Sequence, residues 1–321
     1  MQTYLRNKPA WQQLIIFVGL TVGILLIAFT AGMSIVAHLN HLSVMQIASM
    51  GPQDYARPEL VGVIRGLLIV QFFGIFFLPS LVFAYLADPH PLAYAGMREP
   101  RQKSFLLLAA VTMVLAYFTV EFLGMMNESI VRFLPQSMQK WIESGESEAN
   151  GTLENILSMK SPADLMKTIF LVGALPAIGE ELFFRGILQR LFIQIFKSVW
   201  PGIIFTAFLF SAFHMQFMGF IPRMALGIIL GALYWFSGSI FTSMLGHFIF
   251  NTINILLIYY KFADLDSKTS ATTGYMLFGL ASIAGVVFLL NLIRKKSTIT
   301  YEGEFPPVVE DFFSDEGEKP L

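Results

Sequence analysis

The sequence has no cysteine and little charge. Without cysteine there are no disulfides, thiolate metal sites or cysteine nucleophiles, and no thiol on this chain to carry a prenyl or palmitoyl group. Charged residues make up 13% of the 321 positions, against about 25% in a typical soluble domain. A deficit of that size excludes an ordinary water-soluble fold. The formal net charge of −1 gives nucleic acid no electrostatic foothold, and no nucleic-acid partner is expected.

What the chain has instead is apolar bulk. Hydrophobic residues form 55% of it and Phe alone occurs 32 times, with a mean hydropathy of +0.64. These values define a polytopic membrane protein. The first apolar run, from Leu14 to Leu39, exceeds the 7–15-residue core of a cleaved signal peptide and is expected to remain as a span.

A spanning helix needs about 20 mainly apolar residues. That length predicts an all-α transmembrane bundle of about eight spans, over 14–38, 60–87, 104–126, 165–184, 199–219, 222–238, 240–260 and 272–293. Between the third and fourth, residues Ile130, Val131, Phe133, Leu134, Met138, Trp141 and Ile142 recur at the spacing of an interfacial amphipathic helix. The polar ESGESEANGT that follows (143–152) reads as mobile, and Ser161-Pro162-Ala163-Asp164 as a helix start.

Five regions result: a three-span region 1–126, an extramembrane or interfacial segment 127–164, a helical core 165–260, a last span 261–293 and a disordered acidic tail 294–321. Lys and Arg concentrate in the connections on the N-terminal side, so both termini are expected in the cytoplasm of a plasma-membrane protein. Gly19/Gly23 and Gly227/Gly231 form GxxxG pairs, which read as close helix packing. Asn127-Glu-Ser and Asn150-Gly-Thr match glycosylation sequons and carry little weight.

Ionisable groups inside a span cost roughly 2.5–3.5 kcal/mol each even on lenient scales. Arg65, Glu121, His38 and His41 lie near span ends and read as interfacial. The stretch GEELFFRG differs because it clusters Glu180, Glu181 and Arg185. On a helix Glu181 and Arg185 lie about 40° apart and can pair, whereas Glu180 is about 140° from Arg185 and faces elsewhere. The pair alone could simply close a helix end. His214, within FLFSAFHM, and the pair His247/Asn251, within LGHFIFN, could each be core residues as well.

Together they form a hydrolytic set. A Glu beside a neutral His can take a proton from water and pass it to a leaving amine. A second His with an Asn can hold an oxyanion.

In order and spacing, Glu180-Glu181-x-x-x-Arg185, Phe210-x-x-x-His214 and His247-x-x-x-Asn251 resemble the motifs of the CPBP intramembrane proteases. These are the type II CAAX prenyl endopeptidases and the bacteriocin-immunity proteins related to them. The resemblance covers roughly 165–260. It implies a glutamate-dependent endopeptidase in which Glu180 with His214 activates water and Glu181 assists, held by Arg185. His247 and Asn251 would form the oxyanion hole, and Phe210 would support the site. It also implies membrane lipids and a membrane-embedded or lipidated peptide as partners.

No cofactor is expected. A zinc ion held by Glu180, His214 and His247 is the alternative, although HExxH on one helix is absent. A non-enzymatic immunity or scaffold protein and a proton-coupled transporter are the competing functions.

Overall fold

The structure, a computed structural model, describes residues 4–262 and 273–305. The described residues contain helices and connections without strands. The longer helices are α1 (Ala10–Leu39), α2 (Pro58–Ala87), α3 (Ser104–Val131), α4 (Gln136–Ile156), α5 (a continuous run over 162–196), α6 (Val199–Ala212), α7 (Phe220–Ser237), α8 (Ile240–Tyr259) and α9 (Thr273–Lys296). Six of them are long and apolar enough to cross a membrane: α1, α2, α3, α7, α8 and the Met276–Lys296 part of α9.

The remaining two expected spans take other forms. The segment 165–184 lies inside α5, whose buried Glu180, Glu181, Arg185 and Arg190 interrupt its apolar character. The expected 199–219 span ends at Ala212 in α6. Fourteen residues rise only about 21 Å, short of the ~30 Å hydrocarbon thickness. His214 therefore sits in the turn after α6, not inside a span.

The chain alternates direction and brings residue 4 and residue 305 to the same end of the bundle. At that end Leu5 donates its N–H to Leu86 O and Arg101 donates to Ser237 O. At the opposite end α4 lies over the 44–60 connection, where the Asn155 amide donates to Tyr55 O and Arg57 O. A helix, α4, does occupy the expected interfacial segment, but Ile130 and Val131 belong to α3, Phe133 and Leu134 lie in the turn between α3 and α4, and ESGESEANGT belongs to α4 and is helical. Ile142 and Ile156, buried beneath the polar face, hold it down.

The tail also departs from expectation. Residues 294–296 finish α9, and 297–305 pack back on the bundle. Glu304 pairs with Arg98 and with Arg190 (3.3 Å), so acids that read as solvated include one held between two cations. Residues 306–321 of that expected tail lie outside the described residues.

The interior is aromatic. Phe17, Phe83, Phe183, Phe184 and Phe210 share one packed cluster, while Phe105, Met113, Leu230 and Trp235 share another. In lipid such packing acts through shape, since lipid tails are as apolar as the core. The two GxxxG pairs then diverge. A Cβ on Gly19 or Gly23 would meet nothing within 4 Å, so the expected packing there is not found. A Cβ on Gly227 would meet Ala207 at 2.9 Å, and one on Gly231 would meet Gln189 at 2.5 Å.

Candidate active site

The site is built on α5, which is not a uniform α-helix. It contains two wider π-helical stretches, Ile169–Ala174 and Glu181–Gln189. The first has a cause in the sequence. Pro176 has no N–H to give Val172 O, and its ring crowds that carbonyl, so the preceding turn opens. The same relation recurs in α2, where the π-helical Phe72–Phe77 precedes Leu78-Pro79. No proline accompanies the second stretch in α5. Its wider winding brings residues four apart closer to one line than the ~40° offset of an α-helix. Glu181, Arg185 and Gln189 consequently share one buried face.

That face is a chain of polar contacts, in which Glu181 Oε2 and Arg185 Nε have no hydrogen-bond partner among the described residues. Arg185 Nη1 donates to Glu181 Oε1 at 2.8 Å, and both side chains are shielded from solvent, at 1% and 0% exposure. The His247 ring nitrogen Nδ1 lies 2.9 Å from the same oxygen. Because a carboxylate paired with a guanidinium can only accept, Nδ1 carries the proton and Nε2 points the other way. Arg185 also donates to Gly227 O (3.3 Å) and stacks 4.5 Å above the Phe210 ring. One turn on, Gln189 donates to Gly231 O at 3.0 Å.

At Gly231 the missing side chain leaves the room that Gln189 occupies, whereas the bare face of Gly227 lies against Ala207 and Phe210 of α6. Gln189 and the carbonyls of Gly227 and Gly231 are site-supporting groups that sequence reasoning missed. Their signal was the i, i+4, i+8 spacing of Glu181, Arg185 and Gln189 opposite a GxxxG.

Glu180 does not join this unit. It is buried at 8% exposure, and its carboxylate makes no hydrogen bond among the described residues. Its neighbours in charge are His247, Glu181, Arg185 and Arg223. His214 is exposed, with Nδ1 2.8 Å from Phe210 O. A carbonyl only accepts, so this ring too is protonated on Nδ1 and leaves Nε2 as a free acceptor. Phe210 meets both imidazoles edge to face, with ring centres 5.2 Å from His214 and 6.0 Å from His247. Arg185, His214 and His247 therefore meet at Phe210, but Glu180 and His214 make no hydrogen bond to each other.

Asn251 is placed differently from the expected oxyanion donor. Its Nδ2 donates to Val172 O at 3.2 Å, the carbonyl that Pro176 leaves without a helical partner. Asn254, the next polar residue on α8, donates to Phe250 O within its own helix.

Among the described residues, no three His, Asp or Glu side chains are gathered as a metal site. The zinc alternative through Glu180, His214 and His247 has no converging donor set here. Beyond the turn that carries His214 lies a cavity of about 1400 Å³, bordered by Glu121, Glu143, Glu146, Glu154, Met218 and Pro222 among others.

The described bundle thus holds a buried Glu–Arg–His unit with two further polar motif groups near it. Residues 162–253 match the family described as Type II CAAX prenyl endopeptidase Rce1-like. The matched residues include all three motifs that carry the resemblance, within a chain whose described residues hold six helices long and apolar enough to cross a membrane. The chain is also 29% identical over 128 residues to the uncharacterized protein YpbD of Bacillus subtilis (strain 168). That match covers 39% of this chain and spans 61% of the length of the relative. No solved structure matches the chain.

Proposed function

We propose that this protein is an intramembrane endopeptidase that hydrolyses a peptide bond in or near the bilayer, with Glu180 as the base. The observation that carries this reading is the division of labour between adjacent carboxylates. Glu181 is held by Arg185 and His247, whereas Glu180 is buried beside them without a hydrogen-bond partner.

In the proposed reaction Glu180 takes a proton from a water molecule, and the water oxygen bonds to the scissile carbonyl carbon. The free Nε2 of His214 orients that water. The carbonyl oxygen becomes an oxyanion. Glu180 then gives its proton to the amide nitrogen, the C–N bond breaks, and a carboxylate and an amine leave.

With His247 neutral, the two carboxylates and one guanidinium carry a net charge of −1. In the proposed cycle His247 enters with both ring nitrogens protonated, which cancels that charge; its Nε2–H donates to the oxyanion and keeps its proton throughout, so His247 serves as the principal stabiliser. Asn251 adds a second donor only when its bond to Val172 O opens. The chemistry uses no metal or cofactor. Substrates are membrane-embedded or lipidated peptides, which the family's CAAX prenyl description supports, and the chain lies in the plasma membrane with both termini cytoplasmic.

The test compares new protein termini in membranes of cells expressing wild type, Glu180→Gln or His214→Ala. A set of termini present with wild type and lost with both variants, at equal protein levels and equal thermal stability in detergent, is expected. Identical termini in all three strains would refute the peptidase and favour the non-enzymatic immunity or scaffold role.

A further inference from the structure

The turn that carries His214 is held in part from outside its own hairpin. It starts where α6 stops, and Met215 takes a left-handed conformation (φ 54°), which costs a non-glycine residue about 1–2 kcal/mol. No breaker residue in AFHMQFM forces the helix to stop there. The hairpin supplies part of the restraint, through Ser211 donating to Phe220 O and Arg223 to Gln216 Oε1, and two helices at the far end of the bundle supply the rest.

Asn127, a buried amide at 4% exposure near the end of α3, donates to Phe217 O and to Met218 O, both at 2.8 Å. From α4, Glu146 Oε1 accepts the Met218 N–H at 3.0 Å, and the Trp141 ring meets Phe217 with centres 5.3 Å apart. Both polar atoms of the Met218 peptide position are thus taken by side chains from helices outside the matched family region.

We infer that Asn127 and Glu146 are positioning residues: they fix the turn after α6 and so set where the His214 ring stands relative to the Glu180–Glu181–His247 group. The inference rests on the peptidase reading for its catalytic consequence, but its geometric half stands independently. An amide whose hydrogens are both donated inside the fold is also no glycan acceptor, which removes the Asn127 sequon from consideration.

The two side chains act through different atoms, and this gives a discriminating pair of variants. Glu146→Gln keeps a carbonyl oxygen where Met218 N–H needs one, whereas Glu146→Ala removes it. If charge were what mattered at this cavity edge, Gln and Ala would behave alike.

The experiment labels histidine rings with 13C in the full chain in detergent and follows the five ring signals by NMR, with His214→Gln assigning its signal. Cleavage of an internally quenched farnesylated peptide ending in a CAAX box is measured in parallel. In Asn127→Ala and Glu146→Ala the His214 signal shifts or broadens while those of His38, His41 and His90 stay fixed, and Glu146→Gln matches wild type. The kcat of both Ala variants falls about 10- to 100-fold, as expected for a group displaced by around 1 Å, with KM within about twofold.

An unchanged His214 signal in both Ala variants overturns the inference, as does a shifted signal with unchanged kcat. Should Asn127→Ala fail to fold, the Glu146 pair decides alone. Wild type that leaves the peptide intact counts against the protease reading, on an arm separate from the ring signals.

Discussion

Arg185→Met tests the centre of the site most directly. Arg185 contributes in three ways: its ion pair with Glu181 at 2.8 Å, a long bond to Gly227 O at 3.3 Å, and its stacking 4.5 Å above Phe210. The bond is worth about 0.5–1 kcal/mol. The desolvated cation–π contact adds roughly 2 kcal/mol. The largest effect is indirect. Glu181 is 0% exposed, and removing its guanidinium leaves a buried charge without its cation, at a cost of about 3–5 kcal/mol.

Arg185→Met should therefore destabilise by about 4 kcal/mol or more, and Glu181→Gln by about 3 kcal/mol, since it strands the guanidinium in turn. The double variant removes both charges, and Gln at 181 still offers His247 an acceptor. It should cost less than the two singles together by about 3 kcal/mol. Reversible unfolding in mixed micelles measures all four proteins. Additivity within about 0.5 kcal/mol would refute the claim that one coupled unit organises this face.

Three further outcomes follow from the packing. Gly231→Ala drives a Cβ to 2.5 Å from Gln189 and 3.0 Å from Ile203, and should cost about 1–3 kcal/mol, whereas Gly19→Ala should stay within about 0.5 kcal/mol; equal effects in micelle unfolding would contradict the assignment of which GxxxG is packed. Glu304→Ala leaves Arg98 and Arg190 facing each other without their shared acid and should destabilise by about 3 kcal/mol, with 297–305 becoming open to limited proteolysis; an intact strap would argue that Tyr301 and Phe305 hold it without the ions. Asn251→Ala should cost about 1–3 kcal/mol for the stranded Val172 carbonyl and clearly less in a Pro176→Ala background, where a helical N–H returns; equal costs in the two backgrounds would sink the capping role.

Much of the site could be read in the sequence because it depends on local helix geometry. Glu181 and Arg185 pair as their spacing requires, and Glu180 stays outside the pair. Span positions follow from hydropathy and are largely reproduced, and only the later part of the amphipathic pattern after residue 130, from Met138 to Ile142, falls in the helix α4. What escaped depends on partners distant in the chain. Nothing near Glu304 indicates that Arg98 and Arg190, more than a hundred residues away, will enclose it. Nothing in FSAFHMQFM ends α6; Asn127 and Glu146 hold the turn that does. The two GxxxG pairs are indistinguishable as strings. One faces open space and the other faces Gln189, Ala207 and Ile203, so its meaning lies in the opposing helix.

Asn251 illustrates how a motif residue can carry structure and chemistry at once. Pro176 removes one N–H from α5, and the vacancy at Val172 O needs a donor because lipid supplies none. Asn251 fills it from α8, which ties α8 to α5 nine residues before Glu181 becomes the partner of His247 on the same pair of helices. The two cross-links lie one helical turn apart on α8. Together they fix both the rotation and the height of His247 relative to Glu180. An oxyanion stabiliser needs that restraint as much as it needs a donor, since preorganisation is what gives such a group its effect. The position of Asn251 in the motif can thus be explained by what it holds in place.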